Sequence, residues 1–218
     1  MDTTKKALVG HDTNGGNVSR PIGEPIAVTG HDFIDNTLGT IAPYGVYDLG
    51  RNEGWVKVGV DHDTSAFAVD SIRRWWYLMG KPAYPHATRL MITAESGGSN
   101  GARVKRWKVE LQAVADETGL EMQVRHFPPG TSKWNTIEHR LFSAMRLHWR
   151  GKPLISHEVS IHLIHAPQTR PGLTVRAAVD RGLSPTGIKV TNAQTAALAI
   201  HPEAYHGEWN YTLKPRTT

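Results

Sequence analysis

A carboxylate on the apolar side of a predicted helix is the first candidate for chemistry. At about 100° per residue, the helix predicted from residue 131 or 132 to about 149 has Glu138 near the middle of an apolar stripe. That stripe consists of Trp134, Ile137, Leu141, Phe142, Met145 and Trp149. A carboxylate in such a stripe is costly unless it is paired or bound to a metal ion. Glu138 could instead lie at the edge of the stripe, or bond to a buried arginine or tryptophan.

Glu95 is the second candidate, because it directly follows a short apolar strand predicted over residues 89–94. Sites in α/β sheets form at the carboxyl ends of strands, although Glu95 could equally cap the next helix. The glycine-rich run over residues 97–101 is neither a P-loop nor a dinucleotide fingerprint, since no Gly-Lys-Ser/Thr follows it. We expect it only to let the backbone turn sharply. Asp2 is the third candidate, and its type and position alone carry no argument.

Other acidic residues compete for a role in a site. The Asp-His-Asp run at residues 61–63 could bind Zn²⁺ or Mn²⁺, but a strand-to-helix junction with Asp63 as the cap is the favoured interpretation. Asp48 ends a predicted strand and could also point into a site. The pairs His11-Asp12 and His31-Asp32 invite comparison with HD hydrolases, but the long helices of that fold are not predicted around them.

The elements that must position these residues alternate between strand and helix. Residues 1–10 are predicted to hold the end of one strand and a turn into another. Further strands are predicted at residues 44–49, 55–60, 89–94 and 120–127, and helices at 65–79, 102–118 and 131–149. Gly80 and Pro82 should stop the first helix, and residues 11–43 read as an irregular connection. A hairpin followed by alternating units predicts a mixed sheet with helices on its faces. Beyond Arg150 we predict one helix, over residues 156–166.

The bulk composition limits the possible classes of protein. The chain has 218 residues, 39% of them hydrophobic, enough for one sizeable core. It has no cysteine, hence no disulfide framework or thiolate metal site. No apolar run approaches the roughly 20 residues needed to cross a bilayer, and the polar N-terminus predicts no signal peptide. A cytoplasmic location fits.

The charge is compatible with a polyanionic partner. The formal net charge is +5 and the sequence pI is about 9.5, and neutralising phosphates releases counterions. Basic residues concentrate at Lys5-Lys6, Arg73-Arg74, Arg103/Lys105/Arg106/Lys108 and Arg146/Arg150/Lys152. Because these clusters flank the three candidate carboxylates, they favour a phosphate-rich substrate.

The chain resembles a known family in many ordered segments. They are DTTKKALVG, HDFID, PYGVYDLGRNEGWVKVGVDHDT, ITAESGGSNG, HFPPGTSKWNTIEHRLFS, WRGKPL, TRPGLTV and HGEWNYT. In these segments it is similar to the DDE transposases of bacterial insertion sequences, in a mariner-like branch of the RNase H-like superfamily. The resemblance covers nearly the whole chain, from Asp2 to about Leu213.

The resemblance implies the fold and the site residues. The expected fold is α/β, an RNase H-like mixed sheet of about five strands flanked by helices. Its first strand should be truncated, because the chain begins one residue before Asp2. Residues 1–150 would form the catalytic core, and residues 151–218 a C-terminal extension packed on it or following it. The catalytic and metal-binding residues would be Asp2, Glu95 and Glu138. Glu95 stands where the family pattern usually has Asp.

The resemblance also implies an activity. The protein would be a polynucleotidyl transferase that cleaves DNA strands and transfers them, using two Mg²⁺ or Mn²⁺ ions. Its partners would be double-stranded DNA, both transposon ends and target, and further copies of itself on that DNA. It would be cytoplasmic and associated with the nucleoid. Two alternatives stay open: a catalytically inactive truncated remnant that retains only DNA binding, and an RNase H-like nuclease without strand transfer.

Overall fold

The computed structural model describes residues 1–4, 7–8, 40–59, 63–149, 154, 156–165, 172–182 and 185–216. Within it the chain divides into two compact units. The first comprises Met1–Asp2, His62–Thr136 and Ser184–Thr218, and the second Thr3–Asp61 and Ile137–Leu183. Several sequence predictions fall outside the described residues: both His-Asp pairs, Asp61 and His62, Lys5-Lys6, Arg150 and Lys152.

The larger sheet is built on a hairpin. Its strands are β1 (Asp2–Thr3), β2 (Ala7–Leu8), β3 (Thr40–Asp48), β4 (Glu53–Gly59) and β7 (Thr174–Asp180). They follow the order β1-β3-β4-β7, and β2 also pairs with β3. The β3–β4 pair is antiparallel and the β4–β7 pair is parallel, so the sheet is mixed. The predicted hairpin is confirmed, but β3 begins at Thr40, inside the segment predicted to be irregular.

A helix packs closely on this hairpin. It opens with a π turn (Glu138–Phe142) and continues as α4 (Ser143–Trp149). A Cβ at Gly45 would lie 2.7 Å from Cε1 of Phe142, and one at Gly54 would lie 2.6 Å from Cδ1 of Leu141. Glycine in these strands therefore lets the helix approach the sheet. A further helix, α5 (His157–His165), packs against β7.

The first unit holds a four-stranded sheet. Its strands are β5 (Arg89–Ala94), β6 (Glu121–His126), β8 (Ile200–Pro202) and β9 (Asn210–Leu213), in the order β5-β6-β9-β8. The β5–β6 pair is parallel, and the other two pairs are antiparallel. Parallel strands need a crossover connection, and here the connection from β5 to β6 contains α3 (Lys105–Thr118).

The helices of the first unit begin and end largely as their sequences require. In α1 (Ser65–Trp75) the side chain of Thr64 accepts a hydrogen bond from the Phe67 N–H at 3.2 Å, so the cap is Thr64 and not Asp63. The prediction that Gly80 and Pro82 stop this helix is wrong by a few residues. A π turn (Trp76–Gly80) and the short α2 (Lys81–Ala83) continue it, and Pro82 lies within α2.

Helix α3 confirms the helix predicted over residues 102–118 and buries one apolar face. Trp107, Leu111, Val114 and Ala115 are all buried, and Gly119 ends the helix with φ 74°. The helix begins at Lys105, a few residues later than predicted, because a 3₁₀ turn (Gly98–Asn100) precedes it. A last short helix, α6 (Asn192–Ala196), has a capping box between Thr191 and Gln194.

The predicted fold class is confirmed: a mixed α/β protein with helices beside mixed sheets, compatible with an RNase H-like fold. The strands form two sheets where one of about five strands was expected. Segments beyond residue 150 contribute β7 to one sheet and β8 and β9 to the other. The division into a core over residues 1–150 and an extension over residues 151–218 stays a prediction. None of the described helices is long and apolar enough to cross a membrane.

Candidate active site

The short β1 brings Asp2 to the carboxyl end of β5. The Met1 nitrogen donates a hydrogen bond to the Thr93 carbonyl at 2.8 Å, and Thr93 is two residues before Glu95. Asp2 itself is buried, with 7% of its surface exposed. A buried carboxylate needs hydrogen-bond donors or a cation, so the groups around Asp2 determine what this site can do.

Asn135 connects Asp2 with Glu95. Its Nδ2 donates to Oδ2 of Asp2 at 3.0 Å and to Oε1 of Glu95 at 3.3 Å. Asn135 is 2% exposed, so this amide is committed to the two carboxylates inside the first unit. Two of the three carboxylates predicted from the sequence therefore converge on one group.

A break in the predicted helix positions Asn135. The chain makes a 3₁₀ turn (Ser132–Trp134), and the Asn135 N–H donates to the Ser132 carbonyl at 2.9 Å while its backbone is extended. The prediction of one helix from residue 131 or 132 is wrong at this point. Trp134 is 60% exposed and does not belong to the apolar stripe. Asn135 lies in the quoted segment HFPPGTSKWNTIEHRLFS, but sequence reasoning assigned it no role.

A largely buried chain of hydrogen bonds ends at the backbone carbonyl of Glu95. The indole Nε1 of Trp107 donates to the Tyr211 hydroxyl at 2.9 Å. The Tyr211 hydroxyl lies 3.2 Å from Nε2 of His126, and Nδ1 of His126 lies 2.9 Å from the Glu95 carbonyl. We call these three side chains the Tyr211 network.

Only one proton arrangement satisfies every member of the Tyr211 network. The Trp107 indole can only donate, so the Tyr211 hydroxyl accepts from it and donates its own hydrogen bond to Nε2 of His126. Nδ1–H of His126 then donates to the Glu95 carbonyl. Burial lowers the pKa of His126, and nearby Lys108 lowers it further, against the opposing effect of the Glu95 carbonyl. Burial also raises the pKa of Tyr211. Both shifts favour the neutral forms that this arrangement needs.

Glu138, the third predicted carboxylate, lies in the second unit. Its side chain is 24% exposed, and its Oε2 accepts from Nη2 and Nη1 of Arg146 at 3.1 and 3.2 Å. The rest of the predicted stripe is buried as expected: Ile137, Leu141, Phe142, Met145 and Trp149. Glu138 begins the π turn, a type of helix irregularity that is frequent at functional sites.

The competing acidic residues have structural roles where the structure describes them. Oδ1 of Asp48 accepts from the N–H groups of Gly50 and Arg51 at 2.9 and 3.2 Å, which stabilises the hairpin turn. Asp63 immediately precedes the cap of α1. In the described ranges, no group of three or more His, Asp or Glu side chains could hold a metal ion. The first unit thus offers a pair of carboxylates and an amide.

The comparison with known families decides the class of protein. A family model described as the Rhodopirellula transposase DDE domain matches residues 1–215. The chain belongs to this family. No match is found among curated proteins or among solved structures. A DDE transposase domain has a transposition-related function and is in general a polynucleotidyl transferase that uses divalent metals and acts on DNA. The mariner-like branch stays a prediction.

The Asp2–Glu95 pair of this DDE domain has the donor chemistry that a divalent ion requires. Mg²⁺ and Mn²⁺ prefer oxygen ligands, which the carboxylates of Asp2 and Glu95 supply, whereas Asn135 turns its Nδ2 towards both carboxylates. Because both carboxylates lie within hydrogen-bonding distance of one nitrogen, they are close enough to share a partner of positive character. The residues present therefore fit the metal that the family implies.

Replacing Asn135 tests whether the amide holds the pair together. Asn135→Ala should lower the free energy of unfolding by about 1.5–3 kcal/mol, since the lost hydrogen bonds go to charged groups. Asn135→Asp should lower it further, because a third negative charge would join two carboxylates. Urea denaturation measures both changes, with the exposed Asn192→Ala as the matched control. Equal stability of the Asp and Ala variants would contradict this assignment.

Removing one hydroxyl tests the Tyr211 network. Tyr211→Phe leaves the Trp107 indole and Nε2 of His126 without their shared partner, and should cost about 1–3 kcal/mol of stability. The matched control is Tyr205→Phe, at a side chain that is 77% exposed, which should change stability by less than about 0.5 kcal/mol. If thermal unfolding shows the same midpoint for both variants, the proposed proton arrangement is wrong.

Proposed function

We propose that this DDE transposase domain catalyses metal-dependent cleavage and strand transfer of DNA, with Asp2, Glu95 and Glu138 as its catalytic carboxylates. The observation that supports the proposal most directly is the Asn135 amide between Asp2 and Glu95. Asp2, Glu95 and Glu138 come from three distant parts of the sequence, and they are the residues that the resemblance implies, with Glu95 in place of the usual Asp. A purely structural role would not require two acids to converge at the end of a strand.

The three carboxylates would hold two Mg²⁺ or Mn²⁺ ions. The chemistry that such a pair supplies when bound is activation of the attacking oxygen and stabilisation of the leaving oxygen in an in-line displacement. The nucleophile would be water in cleavage and a DNA 3′-hydroxyl in strand transfer. No covalent bond between enzyme and DNA is then needed.

The chain's own residues would hold the reacting groups in place. Asn135 would orient the carboxylates of Asp2 and Glu95, and the Tyr211 network would fix the backbone of Glu95. Arg and Lys side chains around α3 would bind DNA phosphates, which positions the substrate without reading its sequence. We further propose that the domain acts as a homo-oligomer on paired DNA ends, and that it works in the cytoplasm on the nucleoid.

Two observations bear on the two alternatives, an inactive remnant and a nuclease without strand transfer. Glu95 is one methylene longer than the aspartate usual in the family pattern, and metal sites tolerate only about 0.2 Å in ligand distance. Glu138 is paired with Arg146, so an incoming ion would have to displace that arginine. An inactive DNA-binding remnant would show no cleavage, and a nuclease would cleave without joining DNA ends.

Glu138→Gln tests the carboxylate assignment. It should abolish Mg²⁺- or Mn²⁺-dependent nicking of a supercoiled plasmid while DNA affinity stays nearly unchanged, because the amide keeps the shape and loses the charge. Glu117→Gln, at an exposed acid on α3, is the matched control and should nick normally. Nicking that survives Glu138→Gln would refute the assignment. Joining of an oligonucleotide 3′ end to the plasmid separates a transposase from a nuclease.

A metal titration followed by calorimetry tests Glu95. We expect Mn²⁺ to bind the chain with Glu95 in place, and Glu138→Gln to weaken that binding. Binding seen only after Glu95→Asp would indicate a decayed site on a sound fold. If neither chain binds Mn²⁺, the proposed metal site is excluded and the protein is best treated as an inactive remnant.

A further inference from the structure

A pocket opens beside Glu95 in the first unit. Its volume is about 410 Å³, within the roughly 300–1,000 Å³ of small-molecule sites. The residues that line it include Glu95, Arg103, Pro129, Gly130 and Trp209. The lining therefore combines a proposed catalytic carboxylate with an arginine and a tryptophan.

The backbone around the pocket leaves room for a flat ligand. A Cβ added at Gly97 or Gly130, both of which line the pocket, would meet nothing within 4 Å. Ala102 and Pro129 add small apolar surfaces. Glycine, alanine and proline offer no polar side-chain groups that would select a ligand by hydrogen bonds. Such a wall suits a ligand that binds through the flat surface of a ring.

Trp209 is held firmly in this wall. Its backbone N–H donates to the His206 carbonyl at 2.9 Å, and its carbonyl accepts from the His126 N–H at 3.1 Å. Its ring stacks on His206 with centroids 5.1 Å apart and planes 19° apart. His206 has φ 49°, an uncommon conformation for a residue other than glycine. This turn therefore fixes the backbone of Trp209, and its half-buried side chain lines the pocket.

Arg103 supplies a cation to the same pocket. It is exposed, and it lies just before α3, where Lys105 and Lys108 follow. A guanidinium binds phosphate oxygens through paired N–H groups. The ligand suggested by an aromatic ring and an arginine on one wall is a base carrying a phosphate.

We propose that this pocket is a nucleotide subsite, in which an unstacked DNA base lies on Trp209 and an adjacent phosphate binds Arg103. The inference rests on the proposed function, since the DNA would be the substrate of the neighbouring carboxylates. Enzymes that act on DNA can take a nucleotide out of the stack into such a pocket. Every base has an aromatic face, so the subsite tolerates any sequence.

The base contact can be measured without catalysis. In EDTA, the full chain is titrated against a short fluorescein-labelled oligothymidylate and against an abasic oligomer of equal charge, with anisotropy as the readout. We expect the oligothymidylate to bind about tenfold tighter, the size of one stacked base. Trp209→Ala should abolish this preference, and Trp209→Phe should keep most of it. Tyr84→Ala, at an exposed aromatic residue that does not line the pocket, is the matched control and should behave as the original chain.

The phosphate contact has a separate readout. Arg103→Gln should reduce the slope of log affinity against log salt by about 0.7 while leaving the preference for bases intact. Trp209→Ala should leave that slope unchanged. Because Arg103 is exposed, its variant remains informative even if Trp209→Ala does not fold.

The results separate this inference from the proposed function. Equal binding of the two oligomers by the original chain overturns the subsite, as does a preference for bases that survives in a folded Trp209→Ala chain. Either result can occur while Mn²⁺-dependent nicking is intact. A preference that depends on Trp209 but comes without nicking would support the subsite and count against the catalytic proposal.

Discussion

Two carboxylates held side by side, one of them buried, need hydrogen-bond donors or a positive charge. The Met1 ammonium interacts electrostatically with both, and the donor that they share is the Asn135 amide. It donates to Asp2 and to Glu95 at hydrogen-bonding distance. Asp2 and Asn135 are both buried, so water cannot replace this donor. The need to hold this amide between the two carboxylates accounts for the local structure around it. Met1 hydrogen-bonds β5, a 3₁₀ turn ends where the amide is needed, and Glu95 follows its strand directly.

The second requirement is that Glu95 keeps a fixed backbone. The residues around it form a glycine-rich turn, which is free to take many conformations. The Tyr211 network compensates by bonding the Glu95 carbonyl through His126. Because every member is neutral and has a partner, the network restrains the carboxylate without adding a charge beside it. Trp209, which binds the backbone of His126, extends the same support to the wall of the pocket.

Much of this organisation could be predicted from the sequence, and the reasons for the failures are physical. Apolar periodicity located α1 and α3, because each buries one face. The hairpin was located as well, although consecutive residues of its strands are buried. The cap of α1 was placed one residue too early, since it is Thr64 and not Asp63, whereas the αL glycine at Gly119 follows from local chemistry. Hydrophobic periodicity could not detect the break at Asn135, since its cause is a tertiary contact with two acids far away in the sequence. It also could not show that Trp134 is exposed.

The site residues illustrate the same limit. Glu95 follows from the rule that sites form at strand ends, and Glu138 from its place on an apolar stripe. Glu138 pairs with Arg146, and the sequence indicated an arginine partner only as one alternative, without identifying the residue. Asn135, His126 and Tyr211 were missed because each acts through a partner that is distant in sequence. Asp2 carried no signal of its own, and only the resemblance to the family suggested it as a site residue.

The separation of these partners along the chain constrains how the protein is made. His126 and Tyr211 are 85 positions apart, and Trp107 and Tyr211 are 104 apart. Synthesis proceeds from the N-terminus, so both carboxylates and Asn135 leave the ribosome long before the tyrosine that completes their support. Until then, β6 lacks its neighbour β9, and His126 lacks one of its two partners. A nascent chain therefore carries Asp2, Glu95 and Asn135 well before it has Tyr211, which completes the hydrogen bonds behind Glu95.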